Sequence, residues 1–230
     1  MEYQNKNLKY IDAAAYDKRG ESSILEKYIL GFWQPFLKNK IHELSTNKMV
    51  VDLGCGTGEY IQAATEALKI YAIDVSEAML QVCRDKLNNL KQAEVINDSV
   101  LAVNLPPLDL VITIGIWEYI DSHDLYGKIK KITRKGSKVI VVFPNIYNDL
   151  NWMRSAAKMK KVALRPGFIK NLFRHDFTLI ESASFGNVSF APKQMQFLAL
   201  PVWKFCDWLW RPFQKFLPLG INIYYLFERK

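Results

Sequence analysis

The residues best suited to chemistry stand at 50–58, Val-Val-Asp-Leu-Gly-Cys-Gly-Thr-Gly, where Asp52 precedes three glycines set at every second position. A Val-rich run that breaks into glycine reads as a strand ending in a turn. Glycine takes positive φ freely and has no Cβ, so Gly54, Gly56 and Gly58 would let backbone approach a ligand closely. The spacing of Tyr60, Ile61, Ala64, Ala67 and Leu68 predicts a helix straight after the turn, whose first N–H groups would face that ligand. The dinucleotide pattern G-x-G-x-x-G does not fit. Counted from Gly54 its third glycine would fall on Glu59, and counted from Gly56 on Ile61. An acid at this mouth disfavours a pyrophosphate and favours a ligand with an ammonium group.

Asp52–Gly58 resembles motif I of the class I S-adenosylmethionine-dependent methyltransferases. The resemblance implies that Asp52 and the loop Gly54, Cys55, Gly56 and Gly58 hold the methionine part of S-adenosylmethionine. Asp74, twenty residues beyond Gly54 in Ala-Ile-Asp-Val-Ser, is similar to the second motif. A carboxylate there can accept hydrogen bonds from both ribose hydroxyls, with Val75 against the adenine; a plainer reading has Asp74 cap the next helix. Asp98 and Ser99 match the position at which the family meets the adenine amino group and a ring nitrogen, although Asp98 also suits a turn. Ile114 ends a strand that resembles motif IV and would pass near the sulfonium. Trp117 stands where many relatives carry Leu, and a core role suits it better than a substrate contact. The resemblance covers residues 45–145; the flanks match only in layout.

Methyl transfer from a sulfonium is an in-line displacement from an already activated donor. The protein must align the nucleophile and exclude water, and it needs a general base only if the acceptor must first lose a proton. Candidate bases are Glu118, Tyr119 and His175, whereas His123 reads as a residue at a helix start. Tyr10 and Tyr16 precede the core, where relatives fold a segment over the cofactor, and Tyr16 could set its ring near the sulfonium. The residues after Ile114 lack the Asn/Asp-Pro-Pro-Tyr/Phe pattern of methyltransferases acting on adenine or glutamine. Phe143-Pro-Asn145 lacks the carboxylates of the magnesium-dependent catechol type, so no metal is expected.

The elements that must position these residues follow from hydrophobic pattern. Strands are predicted at Lys48–Leu53, Ile70–Asp74, Glu94–Asn97, Leu108–Ile114, Lys138–Phe143, Phe177–Ser182 and Ile221–Phe227. Between them lie a helix from Met79 to Leu90 that Ser76 could cap and one around Leu125, Ile129 and Ile132 that Gly136 would stop. A helix over Ser22–Leu44 should kink or split at Pro35. Strands alternating with helices imply an α/β, doubly wound, parallel sheet. Seven strands with the last antiparallel are what the resemblance implies. The chain reads as one domain over 1–230, with an N-terminal helical cap at 1–45 and lid or insert segments at 146–166 and 187–219.

The totals bound the rest. The chain has 230 residues, is half hydrophobic, and carries a formal charge of +8. Cys55, Cys83 and Cys206 form no disulfide framework and have no zinc-ligand spacing. With no secretory signal and no bilayer-spanning run, the expectation is cytoplasmic, with a membrane surface as a second setting. Arg154, Lys158, Lys160, Lys161, Arg165, Lys170 and Arg174 follow one another with no acid among them. Residues 192–218 interleave Phe197, Trp203, Phe205, Trp208, Trp210, Phe213 and Phe216 with Lys193, Lys204, Arg211 and Lys215. That stretch could line the pocket of an apolar, aromatic or lipid-like small acceptor, pack against a neighbour, or lie on a membrane. The alternatives are an RNA methyltransferase, which the mixture of aromatic and basic residues allows though no RNA-binding module is seen, and a non-catalytic protein that kept the fold.

Overall fold

A computed structural model describes residues 13–18, 23–148, 163–186, 193–213 and 219–230. Seven apolar segments become strands of one sheet: β1 (Met49–Leu53), β2 (Lys69–Asp74), β3 (Ala93–Asn97), β4 (Leu108–Ile114), β5 (Thr133–Pro144), β6 (Phe177–Phe185) and β7 (Asn222–Arg229). Their order is β3-β2-β1-β4-β5-β7-β6. The first five run parallel, and β7 is antiparallel to both of its neighbours. The doubly wound sheet expected from the sequence is therefore present, including its single reversed strand.

Both faces of the sheet are buried, because successive side chains of a strand point to opposite sides. Val51, Leu53, Val111, Val139 and Val141 enter one core. Val50, Ile70, Leu110, Ile112, Ile140 and Val142 enter the other. The first core is completed by α4 (Ser122–Ile132) and α5 (Pro166–Phe173), whose Phe173 stacks on Phe227 at 4.3 Å between ring centres. The second is completed by α2 (Ile24–Ser45) and α3 (Glu77–Leu87).

The N-terminal region supplies α1 (Ala13–Asp17) and α2. Ser23 caps α2 by accepting a hydrogen bond from the Glu26 N–H, which satisfies one of the free donors of the first turn. The kink or split expected at Pro35 does not break α2, which continues to Ser45. Leu37 and Ile41, beyond the proline, are fully buried, so packing carries the helix through the missing hydrogen bond.

Three local expectations need correction. The helix predicted after the glycine turn is only a 3-10 turn, Ile61–Ala63. The Ala63, Ala64 and Ala67 N–H groups each bond three residues back, and the chain returns at once to β2. Ser76 occupies the N-cap of α3, but its side chain makes no capping bond; the Asp74 carboxylate takes the Ser76 N–H instead. Helix α4 ends at Ile132, ahead of Gly136, and β5 starts at once with Thr133.

The 187–219 segment contains α6 (Gln196–Trp210), which packs on α2. Gln196 Oε1 accepts from the Leu25 N–H at 3.1 Å, the Tyr28 hydroxyl donates to Asp207, and the buried Trp203 stacks on Tyr28. The basic residues Arg154, Lys158, Lys160 and Lys161 lie outside the described residues, as do Lys215 and Phe216.

Candidate active site

The order of the sheet reverses between β1 and β4, and a cleft at such a switch point lies beyond the carboxyl ends of the strands. A cavity of about 580 Å³ opens there. Its wall takes residues from the ends of β1, β2, β4 and β5, from the turn after β3, and from the start of β7, which lies at the same edge because that strand is reversed.

Asp52 ends the visible wall of β1. It is 2% exposed, and its Oδ1 has no hydrogen-bond partner among the described residues. Burial, and secondarily the charge of Asp74, push its pKa up to about 8. A buried carboxylate short of a donor is a receptor for a cation that brings its own N–H groups.

The glycine turn is fixed to β2 by the Gly54 and Cys55 N–H groups, both donating to the Ile73 carbonyl at 2.8 and 2.9 Å. The Asp74 carboxylate holds the same turn from the other side, accepting from the Gly56 N–H and the Ser76 N–H, each at 2.9 Å. All three glycines have positive φ, but for different neighbours. A Cβ on Gly54 would meet Ile116 at 2.7 Å, and one on Gly58 would meet Cys83 Sγ at 2.7 Å. A Cβ on Gly56 would meet nothing within 4 Å, because that residue borders the cavity. Cys55 also lines the cavity, but a hydrogen bond with the Cys83 thiol and burial hold its own thiol well above the usual range, so it is no nucleophile.

A polar cluster ties α1 to this turn. Lys86 of α3 pairs with Asp17 at 2.6 Å and with Glu59 at 3.0 Å, and Lys38 of α2 pairs with Glu59 at 2.6 Å. The Thr57 hydroxyl donates to Asp17. Burial raises the Glu59 pKa, and hydrogen bonds from Lys38 and Lys86 more than reverse that, leaving it below the ordinary value. Tyr16 is thereby set at the cavity wall.

Of the residues singled out in the sequence, Tyr16, Asp52, Gly54, Cys55, Gly56, Asp74, Val75, Ser99, Ile114, Glu118 and Tyr119 meet at the cavity. Gly58 stands behind the turn, against Cys83. Asp98 is exposed outside the lining, its Oδ1 accepting from the Ser99 N–H at 2.7 Å. His175 precedes β6 at the opposite edge of the sheet, exposed beside Arg174, and cannot reach the cavity. Trp117 is a core residue, 1% exposed, with Nε1 donating to Thr113 Oγ1 at 3.0 Å. Tyr10 lies outside the described residues. None of the described side chains of α6 lines the cavity.

Sequence reasoning missed Leu30 and Trp33 of α2, and Asp121, Asp124 and Asn222. Asp121 has a legible second role, since its carboxylate caps α4 by accepting from the His123 and Asp124 N–H groups. The α2 pair carries no motif that could have revealed it.

Comparison with known proteins agrees with this geometry. Residues 50–136 match the family model described as a methyltransferase domain. A carboxy-S-adenosyl-L-methionine synthase 1 of Yersinia pseudotuberculosis is 24% identical over 176 residues, covering 64% of this chain and 73% of that protein. Among solved structures, the magnesium protoporphyrin IX methyltransferase of Synechocystis PCC 6803, with bound SAH, superposes with a TM-score of 0.68 at 12% identity over 98% of this chain and 99% of that one. A possible histamine N-methyltransferase of Thermotoga maritima gives 0.63 at 13% identity, over 94% and 95%. The family model thus assigns residues 50–136 to a methyltransferase domain, and the strand order and the glycine turn give the chain the class I S-adenosylmethionine-dependent methyltransferase fold.

Proposed function

We propose that the chain methylates a small apolar, aromatic or lipid-like acceptor, and that the cavity at the carboxyl edge of the sheet holds donor and acceptor together. The observation that carries this reading is the lining itself. Its cofactor half offers the orphaned Asp52 carboxylate, the open backbone at Gly56, and Asp74. The other half offers Trp33, Ile116, Ile120, Val142 and Phe143. S-adenosylmethionine, when bound, supplies a methyl group already activated on sulfur.

The chain's own residues then bind, orient and dry the site. Asp52 receives the ammonium group, Asp74 the ribose hydroxyls, and Val75 and Ser99 the adenine side. Ile116, Val142 and Phe143 exclude water from the line of attack, and alignment of this kind is worth several kcal/mol, up to about 7–11. Glu118 and Tyr119 are the base candidates that stand at the wall, so an acceptor that must lose a proton would lose it there.

An RNA acceptor is disfavoured. Apart from the buried Asp52 and the lysine-paired Glu59, the described lining contains the carboxylates of Asp74, Glu118, Asp121 and Asp124 and no Lys, Arg or His, which repels a phosphate backbone. The test is transfer of a labelled methyl group to a panel of apolar phenols, amines and fatty acids, run beside generic RNA. Label in the organic phase is expected. Label in RNA, with binding that weakens steeply as salt is raised, would overturn the acceptor assignment.

A further inference from the structure

Helix α6 wears its apolar side outward. At 100° per residue, Phe197, Trp208, Pro201, Phe205, Leu198, Leu209 and Val202 fall within an arc of roughly 140°. The measurable large side chains of that arc are all open to solvent, with Trp208 at 69%, Phe197 at 60% and Phe205 at 57% exposure. The opposite arc holds Gln196, Trp203 and Asp207, which are committed to Leu25 and Tyr28 of α2. A helix at the surface of a globular protein ordinarily shows the reverse arrangement. Met195 and Phe213, just beyond its two ends, are also more than half exposed, so the patch runs the length of the helix.

Among the described residues, the exposed charge at this patch is positive. Asp207 is the sole acid of α6, and it faces α2 through the Tyr28 hydroxyl. Lys204 borders the apolar arc and is exposed, and Lys193 and Arg211 bracket the helix in the chain. Apposing two copies through this face would set a like charge, Lys204, on both sides of the contact. A surface of anionic headgroups complements them instead, and tryptophan with basic neighbours is the composition of a helix lying at such a surface. The helix has 15 residues. Among the described residues no helix is long and apolar enough to cross a membrane.

We propose that α6 is an in-plane anchor that docks the enzyme on an anionic lipid bilayer, with Phe197, Phe205 and Trp208 entering the headgroup–acyl boundary and Lys204 meeting the headgroups. This assignment is independent of the acceptor reading, since none of the described α6 side chains lines the cavity.

The experiment is co-sedimentation of the full chain with vesicles of equal parts phosphatidylglycerol and phosphatidylcholine, and with phosphatidylcholine alone. It is combined with quenching of tryptophan fluorescence by brominated lipid. Binding to the anionic vesicles with quenching is expected, together with much weaker binding to the neutral ones. The double variant Phe205→Glu/Trp208→Glu should lower partitioning at least about tenfold, and Lys204→Glu should lower it on anionic vesicles only. Both variants alter exposed side chains, and unchanged circular dichroism and S-adenosylhomocysteine affinity would show that the fold persists. Absence of binding at low salt, or binding that the double variant leaves intact, overturns the proposal. So does a dimer in light scattering that the double variant converts to monomer while vesicle binding stays absent, because the face would then cover a second copy.

Discussion

Replacing Asp52 by Asn isolates the electrostatic cost of building this site. The carboxyl titrates at 3.8 when unperturbed and at about 8 in the fold, with burial as the main cause. Because the folded value is the higher one, the unfolded chain gives up its proton first. The folded state is therefore penalised progressively as pH rises from the unfolded value to the folded one, and the penalty levels off above that. Each pH unit in the window costs about 1.4 kcal/mol, so between pH 5 and pH 8 the wild type should lose roughly 4 kcal/mol relative to Asp52→Asn. Urea unfolding of both proteins at several pH values, without cofactor, measures the difference. A stability gap that stays constant from pH 5 to pH 8 would refute the claim that the fold keeps this carboxyl protonated. The same logic reaches ligand binding. If Asp52 seats the ammonium group as proposed, binding ionises it, so S-adenosylhomocysteine binding to the wild type at pH 7 should release close to one proton, seen as a buffer-dependent heat, whereas binding to the variant should be weaker and release none.

Two further substitutions separate roles that share a neighbourhood. Gly58→Ala forces a Cβ to 2.7 Å from Cys83 Sγ at a positive φ, and should lower stability by about 1–3 kcal/mol in thermal unfolding. Gly56→Ala meets no protein atom; it should cost about 1 kcal/mol or so in stability yet lose more cofactor affinity than its stability change would suggest, read by calorimetry. Trp117→Phe removes the bond to Thr113 Oγ1. It should destabilise by about 1–3 kcal/mol while leaving cofactor affinity unchanged, and a loss of affinity without a loss of stability would instead put Trp117 in the site.

The strands were legible because a sheet covered on both faces needs continuous apolar runs, and Leu110–Ile114 and Val139–Phe143 are such runs. The reversed β7 came from family resemblance, since nothing in Ile223–Phe227 marks its direction. The missing helix after the glycine turn has a physical lesson. Ile61, Ala64 and Ala67 are buried as their spacing requires, but the periodicity records only which residues face the core, and a 3-10 turn followed by further tight bonds satisfies it equally well. Ser76 stands at the N-cap position as its type suggested, but its hydroxyl takes no first-turn N–H, and its own N–H is committed to Asp74. His175 looked equivalent to Glu118 and Tyr119 until topology placed it at the far edge. The far wall of the cavity was the least legible part, because Leu30, Trp33 and Asn222 come from distant segments that only the assembled sheet brings together.

The ionic tether between α1 and the glycine turn bears on turnover. A helix of five residues has little stability of its own, and the Lys86–Asp17 pair and the Thr57 hydroxyl hold it where Tyr16 meets the cavity. Opening this cap means separating a partly exposed ion pair, an event that dissolved salt assists. Spent cofactor should therefore leave faster as ionic strength rises. Where release limits the cycle, kcat would climb while affinity fell, so the enzyme's throughput would be set by a lysine that never touches the substrate.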